Sequence, residues 1–274
     1  METVTELPKR PLGRYSYPTS HRVIEILGVG AFVALMAVFL PRVVASVADR
    51  WGIGTALGVL VAAFAGFVAA DVASGLVHGM CDNLGSIDTP IVGQKFIRSF
   101  REHHTDPLDM TRGDFIRVNA DNFLVSTPVL LPAVLWLHVD RHPYAGTFLV
   151  SLLLVVIMTN QIHKWAHMAE VPRVVRLLQK TPLILSPEHH QIHHTPPYDT
   201  HYCITSGISN APLRAIGFWP ALMASCRWIG RRMPGSPAVT GDQGPGMAAP
   251  TTEAPADVQA DPVPAPIDRV DAHR

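Results

Sequence analysis

Residues 51–70 run for twenty positions without one formally charged side chain. A continuous apolar stretch of that length leaves few folds open. Inside hydrocarbon every backbone N–H and C=O needs a partner from the protein, and a helix satisfies them within one segment. At about 1.5 Å per residue, twenty residues reach across the roughly 30 Å of a bilayer core. The stretch from Trp51 to Ala70 is therefore expected to be a transmembrane helix.

Three further runs follow the same logic: Val23 to Leu40, Phe123 to Val139 and Tyr144 to Ile162. The third span of the chain carries Pro128 and Pro132, which membrane helices tolerate better than soluble ones. The first run stands behind Lys9, Arg10, Arg14 and Arg22 and imitates a secretory signal, but it is long and has no clean small-residue cleavage site. The fold class expected is an all-α integral membrane protein with about four transmembrane helices. With 48% apolar and only 16% charged residues, an ordinary soluble surface would be hard to build. The net charge is zero and there is no basic stripe, which argues against nucleic acid as a partner. Cys81, Cys203 and Cys226 are odd in number and lack CxxC spacing, so neither a disulfide framework nor a thiolate zinc site is implied.

Lys and Arg gather in short loops on the cytoplasmic side. The N-terminus, the segment with Lys95, Arg98, Arg101, Arg112 and Arg117, and the segment with Lys164, Arg173, Arg176 and Lys180 are basic, whereas the intervening loops hold little beyond Arg42, Arg50 and Arg141. Four spans with both ends in the cytoplasm fit this distribution. The domain reading is an N-terminal cytoplasmic segment over 1–22, a membrane domain over 23–232 and a disordered Pro/Ala-rich tail over 233–274, with Ala215 to Ile229 as an interfacial helix. The Ala- and Pro-rich composition and short tail point to a bacterial inner membrane.

Nine of the fourteen histidines fall into four clusters, each at or just beyond the end of an apolar run. They are His78 followed by Asp82; His103 and His104; His163 and His167; and His189, His190, His193 and His194. The topology puts all four on the cytoplasmic side, and leaves His21, His138, His142 and His273 as non-ligands. Histidines at i and i+4 share a helix face, and neutral imidazole is a good ligand for iron, copper and zinc. Zinc needs about four ligands, whereas two six-coordinate irons need about eight to ten donors, so a histidine-rich di-iron cap is the economical reading. Asp71, inside the second span, either supports such a site or is a buried carboxylate bonded to a neighbouring helix. Asn160, one turn before His163, offers an amide oxygen or a hold on water. The residues around Arg101, Glu102, Arg112 and Asp114 either orient the imidazoles or form a solvated charged face.

Ser74–His78, Phe96–His104 with Asp106 and Pro107, Asn119–Asn122, Asn160–His167, His189–His194 and Tyr202–Gly207 resemble the motifs of the plasmanylethanolamine desaturases, the Kua or CarF-like membrane lipid desaturases, from about Asp71 to Trp219. The resemblance implies an O2-dependent oxidoreductase that forms the vinyl-ether double bond of plasmalogens, using two iron ions and electrons from a carrier protein, cytochrome b5-like or ferredoxin-like. The implied ligands are His78, His103, His104, His163, His167, His189, His190, His193 and His194, with Asp71, Asp82, Asn160 and His201 in support. The family usually has histidine where Gly113 stands, and His201 is the alternative donor. The substrate implied is a phospholipid whose phosphate Arg101 or Lys164 could hold, unless those cations only set topology. Rival readings are a fatty-acyl lipid desaturase or hydroxylase of the same type and, outside enzymes, a metal transporter or bis-histidine haem protein; the last two fit the clustering poorly.

Overall fold

The computed structural model describes residues 19–90 and 92–230, and every regular element among them is helical. The tail over 233–274, His273 and most of the N-terminal segment lie outside the described residues. Four helices are long and apolar enough to cross a membrane: α1 (Thr19–Ala48), α2 (Ile53–Asn83), α4 (Phe115–Trp136) and α5 (Pro143–His167). Each expected span falls within or overlaps one of them. The helices continue beyond the apolar runs, so that α2 carries His78 and α5 carries His163 and His167 on their last turns. On the outer side of α2, Leu57, Leu60, Val61 and Phe64 are exposed, as befits a surface solvated by lipid tails.

The principal helix contacts are α2 on α5, α4 on α5 and α1 on α4. Between α2 and α5 the approach is close because Gly66 has no side chain: a Cβ there would lie 2.4 Å from the Phe148 carbonyl oxygen. Beside it, Ser151 Oγ donates to the Ala63 carbonyl at 2.7 Å. Small residues serve this purpose in membranes, where packing takes over from hydrophobic driving force. Phe32 of α1 meets Phe123 of α4 edge to face at 5.2 Å between ring centres. These two join Phe39, Leu130 and Leu153 in the main apolar core.

At one end the two short connections are tied together. Ser46 Oγ donates to the Val139 carbonyl at 2.6 Å, and Arg50 to that of Asp140. The other end bears the longer segments. A π-helical turn (Gly93–Ile97) leads into α3 (Arg98–Thr105), a 3-10 turn (Asp109–Arg112) precedes α4, and α6 (Arg173–Leu178), α7 (Pro187–His193), α8 (Asn210–Ala215) and α9 (Phe218–Gly230) follow α5. Asp114 starts α4 by accepting from the Arg117 amide at 2.9 Å, and Ser186 starts α7 by accepting from that of His189 at 3.2 Å. The helix expected over Ala215 to Ile229 begins slightly later, as α9.

Candidate metal centre

Two neighbouring groups of donors form where α2, α3, α5 and α7 meet. In the first, His103, His163, His167, His190 and His194 bring one ring nitrogen each within 4.8 Å of one another; in the second, His78, Asp82, His104 and His193 do the same with three nitrogens and a carboxylate oxygen. Helical spacing explains the division. His163 and His167, His190 and His194, and His78 and Asp82 are i,i+4 pairs that each serve one group. His103 and His104 are consecutive, about 100° apart around α3, and serve different groups. The groups adjoin: the rings of His104 and His194 lie 5.0 Å apart and those of His78 and His163 6.0 Å.

Within the first group, His163 and His190 Nε2 are 2.8 Å apart, His167 and His190 Nε2 2.8 Å, and His103 and His167 Nε2 2.9 Å. In the second, His104 Nε2 lies 3.1 Å from Asp82 Oδ2, and His193 and His78 Nε2 are 3.1 Å apart. One tautomer is fixed by its partner. His193 Nδ1 lies 2.8 Å from the Thr200 carbonyl oxygen; a carbonyl only accepts, so Nδ1 bears the proton and Nε2 presents a lone pair. Burial pushes His103 and His190 well below the ordinary imidazole value and His194 to about 2, with the neighbouring His167 adding to the effect. These rings are neutral at physiological pH. Convergent neutral imidazoles cannot all satisfy one another by N–H···N bonds, whereas a cation among them would engage every lone pair. Eight imidazoles and one carboxylate fit two ions of the iron type, and the absence of thiolate and of an all-oxygen shell fits neither zinc fingers nor magnesium sites.

A cavity of about 550 Å³ reaches the first group at His103 and His163. Ala70, Ala73 and Val77 of α2, Val125 of α4 and Val156 of α5 line its apolar part; Arg98, Glu102, Asp109 and Arg117 stand among its polar residues. This size suits a small ligand or part of a lipid chain.

A lipid desaturase domain model matches residues 67–234. The chain is also 40% identical over 222 residues to plasmanylethanolamine desaturase of Myxococcus xanthus, covering 80% of this chain and 76% of the relative. It belongs to the lipid desaturase family. Plasmanylethanolamine desaturase 1 of Mus musculus is 45% identical over 174 residues, covering 60% of this chain and 63% of the relative. Fatty acid desaturase 4, chloroplastic, of Arabidopsis thaliana is 35% identical over 152 residues, covering 54% and 46%. No solved structure matches.

In this lipid desaturase, eight of the nine implied histidine ligands enter the two groups, and Asp82, expected in support, is itself a donor. His189 stands apart. Its Nε2 accepts from Asn210 Nδ2 at 2.9 Å, and its ring covers Gly207, where a Cβ would lie 2.6 Å from that nitrogen. His201 lies 5.1 Å from the His189 ring and in neither group. Asp71 is fully buried, and its carboxylate accepts from the amides of Ser206, Gly207 and Ser209 at 2.8, 2.9 and 2.9 Å. Asn160 Nδ2 donates to the Val118 carbonyl at 2.9 Å, while the residue itself lines the cavity.

The two cations weighed as phosphate holders or as topology-setting charges are engaged with backbone carbonyls. Arg101 donates to the carbonyls of Cys81, Leu84 and Gly85, closing the end of α2, and Lys164 Nζ donates to the Gly113 carbonyl at 2.6 Å. Gly113 lines the cavity, and the two donor groups form without a contribution from it. Glu102 pairs with Arg98, Arg112 with Asp106 and Asp109, and Asp114 with Arg22. Sequence spacing did not single out Tyr202 or Asn210. Tyr202 is buried with its ring 5.1 Å from His193, and Asn210 also accepts from the Cys203 amide at 2.9 Å. Position within the Tyr202–Gly207 motif was the one signal for the first; for the second there was none.

Proposed function

We propose that this desaturase forms the vinyl-ether double bond of a plasmalogen from an alkyl-ether phospholipid. The observation that carries the reading is an apolar cavity ending at histidines of a buried nine-donor centre. Two of the relatives are named as desaturases of plasmanylethanolamine, which supports this reading. The overall reaction removes two hydrogens from C1 and C2 of the alkyl chain, while O2 takes up those hydrogens, two external electrons and two protons to give two waters. A cytochrome b5-like or ferredoxin-like protein supplies the electrons.

His103, His163, His167, His190 and His194 would hold one iron, and His78, His104, His193 and Asp82 the other. Iron bound there supplies the oxygen chemistry that takes hydrogen from an unactivated carbon. The chain contributes position and dryness. Ala70, Ala73, Val77, Val125 and Val156 hold the alkyl chain, and the depth at which it stops beside His103 and His163 decides which carbon reacts. Burial keeps the His103, His190 and His194 rings neutral and limits water at the reacting carbons. The basic segments at this end of the bundle support a cytoplasmic orientation of the centre, and the Ala- and Pro-rich composition supports a bacterial inner membrane.

Lipid mass spectrometry tests the reading in a host without plasmalogens, given alkyl-ether phospholipid and expressing either this chain or His193→Ala. A product two hydrogens lighter that releases a fatty aldehyde in acid, and that the variant does not form, is expected. An oxygenated ether lipid would instead make the chain a hydroxylase. A new double bond confined to an acyl chain would make it an acyl-lipid desaturase, as the name of the chloroplast relative suggests.

A further inference from the structure

The segment between α5 and α7 presents a surface that the reaction does not use. On α6, Val175 is buried, but Val174 and Leu177 are 67% and 64% exposed, and Leu183 beyond it is 53% exposed. Arg173, Arg176 and Lys180 are exposed beside them and have no acidic partner among the described residues. The order Arg-Val-Val-Arg-Leu-Leu-Gln-Lys over 173–180 thus puts cations and apolar side chains along neighbouring stripes. In water the apolar stripe would be left without cover, while the cations beside it stand open to anionic groups.

The depth of this segment identifies what covers it. Leu185 is buried in one cluster with Ile162 and Ala166 of α5, and Ile184 packs against that cluster. Ile162 lies five residues before the end of α5, or about 8 Å along its axis. The chain after α6 therefore returns to a level inside the last turns of a membrane span, and exposed Leu183 adjoins that return. Gln179 Nε2 also donates to the Trp165 carbonyl at 3.3 Å, tying the end of α6 to α5. A soluble protein could not reach side chains at that level without displacing lipid.

We infer that residues 173–183 form an interfacial anchor seated in the headgroup layer of an anionic leaflet. Val174, Leu177 and Leu183 insert at the acyl boundary, and Arg173, Arg176 and Lys180 contact lipid phosphates. The chain runs from this anchor directly into α7, so the leaflet holds the segment that carries His190, His193 and His194.

A nitroxide on Leu177→Cys tests the assignment in the full chain with Cys81→Ser and Cys226→Ser, reconstituted into vesicles of phosphatidylcholine with or without phosphatidylglycerol. Gln191→Cys, exposed on α7, is the reference site. Collisions with oxygen are expected to exceed those with a water-soluble nickel chelate at position 177, with the reverse at 191. Phosphatidylglycerol should deepen the label at 177, and Arg173→Gln, Arg176→Gln and Lys180→Gln together should abolish that shift. Nickel access at 177 equal to that at 191 would overturn the anchor and leave the face to a soluble acidic protein. Protection from both reagents would overturn it in favour of a second copy of the chain. An equal depth in both vesicles would remove the anionic preference.

Discussion

His189 and His190 are adjacent, buried to different degrees and chemically identical, yet they have different work. His190 Nε2 meets those of His163 and His167, whereas His189 accepts from Asn210 and shields Gly207. His189→Gln keeps an acceptor for Asn210 and is expected to retain the full metal complement, while His190→Gln loses metal; elemental analysis of the purified proteins decides, and equal losses would make His189 a ligand. The same residues set a pH dependence. Burial lowers His103, His190 and His194 in the folded chain, so as pH falls below the unfolded value of about 6.5 the unfolded chain takes up protons that the folded chain refuses. Stability from these neutral rings is complete above that value and declines toward the folded values. The melting temperature of metal-free protein should therefore fall from about pH 7 to about pH 5, and a flat profile would contradict the burial argument. Spacing alone could identify the histidine clusters but not this division of labour. On a helical wheel His189, His190, His193 and His194 span an arc of only roughly 140°, and what turns His189 away is Asn210, twenty-one positions downstream.

At the level of elements, α7 and the residue that ends it bring His190, His193 and His194 to the two donor groups, and the loop after them is fastened to α2. Asp71 accepts from three amides of residues 206–209, Ser74 Oγ from the Ile204 amide at 3.1 Å, and Leu185 N donates to the Thr205 carbonyl at 2.9 Å. Asp71→Ala would leave three buried N–H groups without their acceptor, at a cost of about 3 kcal/mol or more. A fall in the thermal midpoint together with lower metal content is the expected result, and unchanged melting would show that the loop holds itself. The sequence marked Asp71 as costly at membrane depth and left two uses open; its carboxylate binds backbone amides of the loop preceding α8. The four spans were more legible, since Trp51 to Ala70 is apolar throughout. Their ends were not, because His78, His163 and His167 are polar residues that continue a helix beyond its apolar run to reach a shared centre.

For the whole molecule, the arrangement joins a membrane-embedded apolar cavity to a buried donor cluster at one end of the bundle. Hydropathy describes helices one at a time and says nothing of the space between them, so the cavity was beyond its reach. Ala73→Phe would fill part of that space and should lower desaturation about 10-fold or more with metal content unchanged; full activity in a lipid assay would place the alkyl chain elsewhere. We propose that nine side chains divide into two metal-binding sets. Iron determination on wild-type protein, His167→Ala and Asp82→Asn, each with Mössbauer spectra, tests it most directly. Two irons per wild-type chain are predicted, with a different iron signal weakened in each variant. One iron per chain, or the same single signal lost in both variants, would contradict it.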